Sequence, residues 1–270
     1  MGIKMVTEYV SKSWKIYKKN AGSFIASEIL ASLLPFFVIL IGGTLFLASL
    51  VPLINWELIL NTTNEELLTD YFLELFKNPG FVRSLISGVL YFSIFLILGT
   101  LLSLYLGIGQ VGMAYESLKK RTKLKTMFKT SRKYGFRWIL TIFLMLVFAF
   151  LAVIPLLIIA VFTFGLGAIP VLLALPIIPL IGPAMVINNL SPFGSFKSAF
   201  RVAKKNYMNL LILWLIFTIG SFMISFLGSL LAFIPLIGWL VNLSASIFIA
   251  LVVQPMMKIS FVNFYKRNMK

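Results

Sequence analysis

Residues 138–196, WILTIFLMLVFAFLAVIPLLIIAVFTFGLGAIPVLLALPIIPLIGPAMVINNLSPFGSF, run for 59 positions without one Asp, Glu, Lys or Arg. A helix rising about 1.5 Å per residue crosses a hydrocarbon core of about 30 Å in about 20 apolar residues. The stretch therefore holds two spans and a tight reversal. Phe164 to Pro170, FGLGAIP, supplies the Gly and Pro that a short reversal demands. Residues 206–257 repeat the situation over 52 uncharged positions, with the reversal at Phe233 to Trp239, FIPLIGW. Two further uncharged runs, 29–56 and 84–115, hold one span each. The expected fold is an all-α integral membrane protein with six transmembrane helices, at about 22–50, 84–115, 138–163, 168–190, 207–233 and 238–262, in a single membrane domain over 1–270.

Composition leads to the same class. Apolar residues make up 60% of the chain and charged residues 12%, against about 25% charged in soluble domains. The absence of Cys and His excludes thiolate chemistry and the commonest general base and metal ligand. The first apolar run is too long for a signal peptide, and the acidic and aromatic stretch Glu8-Tyr9-Val10 precedes it.

Charge placement orients the bundle. The segment 51–83 carries five acids, Glu57, Glu65, Glu66, Asp70 and Glu74, against only Lys77 and Arg83. The other 22 of the 24 basic residues lie before residue 20, in 116–137, in 191–206 and from 258 onward. With six spans these four segments fall on one side, and the positive-inside rule makes that side cytoplasmic. The expectation is a multi-pass protein of the cell membrane with both termini in the cytoplasm and the acidic segment as a solvated outer lid. An anionic leaflet accounts for the net charge of +16, so no nucleic-acid partner is expected; no groove-reading or base-stacking fold is present.

The basic segments share a pattern. Lys125, Lys129, Arg132 and Lys133 recur 72 residues later as Lys197, Arg201, Lys204 and Lys205, and Leu124 and Phe128 recur as Phe196 and Phe200. At an offset of 186 the N-terminal segment matches with Lys15, Lys18 and Lys19 beside Val10, Trp14 and Tyr17. Spacings of three, four and seven put bases on one helical face and apolar residues on the other. Each segment reads as an interfacial amphipathic helix feeding a span. The chain thus reads as a three-fold parallel pseudo-repeat of helix plus hairpin, with units 1–116, 117–190 and 191–270. Convergence on a lysine-rich helix at one leaflet is the competing explanation.

Three stretches carry a resemblance. The strongest runs from Pro183 to Pro192, PAMVINNLSP, into Lys197-Ser198-Ala199-Phe200 and Lys204-Lys205-Asn206; the others are Gly109 to Tyr134 and Trp14 to Asn20, WKIYKKN. They are similar to a broad group that includes the YciC-like inner-membrane proteins and the membrane module fused to some bacterial glycerophosphodiester phosphodiesterases. The chain has no phosphodiesterase domain, so the resemblance implies an architecture and carries over no catalytic residue.

Within the spans, Glu28 lies about two turns into the first. A carboxylate there is a functional candidate by default, or it pairs with Lys258 or Lys18 near the interface. Glu116 and Lys258 mark span ends. Gln110, Asn188, Asn189, Asn242 and Gln254 would serve interhelical hydrogen bonding, or a substrate path if several converged. Gly107, Gly109 and Gly112 follow no strand, so they indicate close helix packing rather than a phosphate loop. Prolines 170, 176, 179 and 183 must kink or break the fourth span.

The leading reading is a non-enzymatic module that needs no cofactor. It binds anionic lipid, or a partner membrane protein, through Lys15, Lys18, Lys19, Lys125, Lys129, Arg132, Lys133, Lys197, Arg201, Lys204 and Lys205. Two alternatives stand beside it. One is a small transporter or permease with a path near the proline-rich fourth span and Glu28. The other is a lipid-modifying enzyme relying on carboxylates and hydroxyls.

Overall fold

The computed structural model describes residues 2–162, 169–230 and 237–269, and every regular element among them is a helix. In chain order these are α1 (Gly2–Leu50), a 3-10 turn (Val51–Leu53), α2 (Trp56–Asn61), α3 (Glu65–Lys77), α4 (Pro79–Ser117) and α5 (Leu124–Phe162). Then come α6 (Ile169–Ala174), a second 3-10 turn (Leu175–Ile177), α7 (Ile178–Asn188), α8 (Pro192–Lys205), α9 (Tyr207–Leu230), α10 (Ile237–Phe248), a π turn (Ile249–Val253) and α11 (Gln254–Asn268). Most of the two expected reversals, 164–168 and 233–236, lies outside the described residues.

Six stretches are long and apolar enough to cross a membrane: Met5–Leu53, Pro79–Ser117, Leu124–Leu156, Ile169–Asn188, Tyr207–Leu230 and Gly238–Asn268. They correspond one to one with the expected spans and mark a multi-pass membrane protein. Several run well past the expected limits, because the basic segments do not form three separate helices. The first and second are continuous with their spans, in α1 of 49 residues and α5 of 39. Only the third stands alone, as α8, broken from α9 at Asn206 with φ −136° and ψ 37°.

The residue at the junction does not decide this by itself: Asn20, equivalent to Asn206 at the offset of 186, lies inside the continuous α1. Position 134, equivalent to 206, is a buried tyrosine whose hydroxyl donates to the Val186 carbonyl at 3.4 Å, and the helix runs on. Asn206 instead donates its N–H to Ala203 O at 3.0 Å, and its own carbonyl receives Leu210 N–H at 3.0 Å. One residue thus closes α8 and opens α9, a role that suits Asn better than a helix interior does.

The fourth and sixth spans are interrupted beside prolines. Pro176 and Pro179 lack the N–H that a regular helix uses, and the chain tightens to the 3-10 turn between α6 and α7. Pro255 follows the π turn between α10 and α11.

The chain divides into two compact units, one of Met1–Leu30 with Leu104–Lys270 and one of Ala31–Ser103. The core of the larger unit joins Tyr9 of α1, Leu180 and Ala184 of α7, Ala199 and Ala203 of α8, Leu210 of α9 and Phe261, Phe264 and Tyr265 of α11. The chain reverses between α7 and α8 through Asn189, which adopts the left-handed region (φ 53°) that Asn tolerates, with Leu190 N–H bonded to Met185 O at 3.3 Å. Ser191 then caps α8, accepting Gly194 N–H at 3.3 Å.

In the smaller unit the acidic segment is helical, with its acids exposed. Asn55 and Asn64 cap α2 and α3, which carry all five of its acids. Leu50, Leu75 and Phe81 form a small core there. A Cβ on Gly99 would lie 2.6 Å from Ile39 Cγ1 and 3.0 Å from the Pro35 carbonyl, so α1 and α4 approach closely at that point.

Candidate functional site

All eleven candidate bases are exposed. They divide among three helices, and side-chain burial around them follows the offsets of 72 and 186. Ser13, Met127 and Ala199 occupy one equivalent position and are fully buried. Tyr17, Ser131 and Ala203 occupy the next turn of the same face and are buried too. One residue after the first set, an aromatic stands out each time: Trp14, Phe128 and Phe200 are 41%, 45% and 59% exposed. The bases at the following positions flank it. Lys18 Nζ lies 5.2 Å from the Trp14 ring centre, and Lys133 Nζ lies 5.0 Å from that of Tyr134.

The three carboxylates of this unit are each engaged by other bases. Glu8 pairs with Arg267 at 2.9 Å, Glu28 with Lys258 at 2.6 Å and Glu116 with Lys120 at 3.1 Å. Glu116 also accepts the hydroxyls of Thr122, at 3.0 Å, and Thr126. Asn20 Oδ1 accepts Thr122 N–H at 2.8 Å and Ser23 donates to the Thr122 carbonyl at 2.9 Å, so the link between α4 and α5 is held against α1.

Of the two candidate partners for Glu28, the structure selects Lys258. Its ammonium donates to Glu28 Oε1 and to Gln110 Oε1, both at 2.6 Å, and Gln110 Nε2 donates to the Ser27 carbonyl at 3.3 Å. The cluster joins α1, α4 and α11, with Glu28 and Gln110 buried. Lys18 is exposed and lies over Trp14 instead.

The remaining polar groups do not converge on this cluster. Asn188 Nδ2 donates to Tyr265 OH at 2.7 Å, and Ser198 Oγ shares that hydroxyl at 2.6 Å. Asn189 Oδ1 accepts from Arg137 at 3.5 Å, and Asn242 packs beside Gly228 between α9 and α10. A Cβ on Gly109 would lie 2.6 Å from the Met127 carbonyl oxygen, and one on Gly112 would meet Thr130; Gly107 faces open space. Two of the three glycines thus permit the close approach of α4 to α5.

Sequence reasoning missed the tyrosines that repair the broken spans. In a regular helix Pro255 would have donated to the Leu251 carbonyl; Tyr17 OH donates to it instead, at 2.9 Å. Beside the other break, Tyr207 OH donates to the Leu173 carbonyl at 2.8 Å. Pro255 signalled the freed Leu251 carbonyl, but nothing in the local sequence names the hydroxyl that reaches it.

Two adjoining grooves open where the break between α6 and α7 meets α8. One, of about 460 Å³, is bounded by Met145, Ile181, Phe196 and Lys197; the other, of about 410 Å³, by Pro170, Leu173, Lys204 and Tyr207. They share Ala174, Ile177 and Phe200, and Lys197 and Lys204 are the charged residues in their walls. Among the described residues no group of three or more His, Cys, Asp or Glu could hold a metal ion.

No protein-family model, no curated protein and no solved structure matches this chain.

Proposed function

We propose that this multi-pass protein is a non-enzymatic module that binds anionic lipid through a basic face on the cytoplasmic side of the cell membrane. The observation that carries the reading is the thrice-occurring exposed aromatic, Trp14, Phe128 and Phe200, each followed by exposed bases. A Trp or Phe on the apolar side of a basic interfacial helix seats at the headgroup/acyl boundary, and each nearby Lys or Arg contributes on the order of 1 kcal/mol toward an anionic leaflet. The carboxylates of the unit are engaged by other bases, so the face keeps its charge. The 22 bases outside residues 51–83 support the orientation, with both termini cytoplasmic.

The matching burial at the offsets of 72 and 186 supports a three-fold repeat of basic helix plus hairpin, and the resemblance to YciC-like proteins suits such an architecture. The buried sides of α1, α5 and α8 pack on protein, so only the exposed edge of each helix is offered to the membrane. We read the Glu28–Lys258–Gln110 cluster as a structural tie. Its groups satisfy one another, and the groove at the broken fourth span is lined by none of them.

The test is reconstitution into bilayers mixing phosphatidylglycerol and phosphatidylcholine, followed by gentle extraction and mass analysis of the lipids retained. Phosphatidylglycerol is expected to be enriched over the bulk mixture, less so at high salt. Charge reversal of Lys197, Arg201, Lys204 and Lys205 should lower the enrichment. Retained lipid that simply mirrors the bulk mixture would refute the reading. Solute flux from sealed vesicles, altered by substitution of Glu28 or Pro176, would favour transport instead.

A further inference from the structure

Phe200 differs from Trp14 and Phe128 in its surroundings. It is the wall shared by the two grooves, whose floors come from Ala174 and Ile177 at the broken fourth span. Each groove has the size of a small-molecule cleft, about 300–1,000 Å³, and an almost wholly apolar lining. Each also has one lysine, Lys197 in the first and Lys204 in the second. Seven residues of helix place these two about 10 Å apart along α8, with Arg201 exposed between them on the same face. Two adjoining apolar furrows, with Lys197 and Lys204 in their walls and Arg201 between these on α8, match an amphiphile with two hydrocarbon chains and one anionic head. The Tyr207 hydroxyl, bonded to the Leu173 carbonyl, removes a bare acceptor from the second furrow.

We propose that the paired groove between α6–α7 and α8 is a specific seat for one anionic glycerophospholipid, its two chains in the furrows and its phosphate among Lys197, Arg201 and Lys204. The proposal rests on the basic-face reading above and narrows it to one site. Among the described residues the seat lies at the third basic helix, where α8 is separate from its span and lies against the break.

The experiment is native mass spectrometry of the detergent-purified protein, titrated separately with phosphatidylglycerol, phosphatidylcholine and single-chain lysophosphatidylglycerol. One phosphatidylglycerol molecule should bind well ahead of further copies. Lys197→Gln with Lys204→Gln should weaken it roughly thirtyfold, about fivefold for each lysine. Ala174→Trp should fill the floor that the two grooves share and abolish the first site; Ala174→Leu, a milder filling, should weaken it if the larger ring impairs folding. Lys77→Gln with Arg83→Gln, exposed in the smaller unit and outside the basic face, should leave the first site unchanged. Phosphatidylglycerol binding that ignores the α8 and Ala174 variants but falls with Lys129→Gln and Arg132→Gln on α5 overturns the seat and keeps the basic-face reading. No preference for phosphatidylglycerol over phosphatidylcholine overturns both. Lysophosphatidylglycerol binding as tightly as the two-chain lipid overturns the paired-furrow assignment.

Discussion

Between Leu175 and Ile177 the fourth span tightens into a 3-10 turn, whereas between Ile249 and Val253 the sixth loosens into a π turn. Both interruptions adjoin prolines, and a tyrosine hydroxyl from another helix bonds a carbonyl beside each. Their surroundings differ. The π turn takes up one extra residue and so turns the following helix by about 100° relative to a regular continuation. Lys258, in the first turn of α11, meets Glu28 and Gln110, and the polar groups there close on one another. The 3-10 turn has apolar neighbours, lysine stems and the Tyr207 hydroxyl around it but no buried ion pair, and an open groove adjoins it. A proline break therefore has no fixed meaning in a span; the side chains facing it decide whether it becomes a fastening or a cavity.

The fastening can be broken from its charged side. Glu28→Ala leaves a largely buried ammonium with Gln110 alone, and thermal or denaturant unfolding in detergent should show a loss of about 3 kcal/mol. Adding Lys258→Met should restore most of it, and Glu28→Gln, which keeps an acceptor, should cost less. A Glu28→Ala protein as stable as the parent would show that the ion pair does not hold the sixth span.

Next in size is Gly109→Ala, which drives a methyl group into the Met127 carbonyl one residue before Gln110. A loss of about 2 kcal/mol is expected, with Gly107→Ala near neutral as its control. Tyr17→Phe strips the part-buried Leu251 carbonyl of its donor and should cost about 1–2 kcal/mol. Tyr207→Phe removes the matching bond at the exposed Leu173 carbonyl, where headgroups or water substitute, and should cost less than about 1 kcal/mol. Equal losses for the two tyrosines would erase the contrast between the breaks.

The spans were legible because runs such as 138–196 carry no charge, and the interruption of the fourth was legible because Pro176 and Pro179 lack donors. Glu28 was readable as a group needing a partner, and Lys258 was one of two partners in reach of the argument. What escaped depends on residues far apart in sequence. Gln110 joins the pair from α4, and Tyr17 reaches Leu251 across 234 positions. The fate of the basic segments escaped for another reason: Lys129 and Arg201 sit in the same pattern, and the junction residue does not separate the cases, since Asn20 lies within a continuous helix while Asn206 ends one. The helices of 51–83 were hidden by their acids, whereas Asn55 and Asn64, which start them, were present to be read.

The tie between Glu28 and Lys258 also has a history in time. The two residues are 230 positions apart. At a synthesis rate of about 5–20 residues per second, the first helix waits on the order of 10–50 s for its counter-ion to be made. During that interval the nascent chain carries an unmatched carboxylate near the middle of α1, and Ser13, which Ser260 bonds at 2.8 Å, is equally unmet. The sixth span thus completes a tie that the first begins, and a chain halted between the two carries the Glu28 carboxylate without its counter-ion.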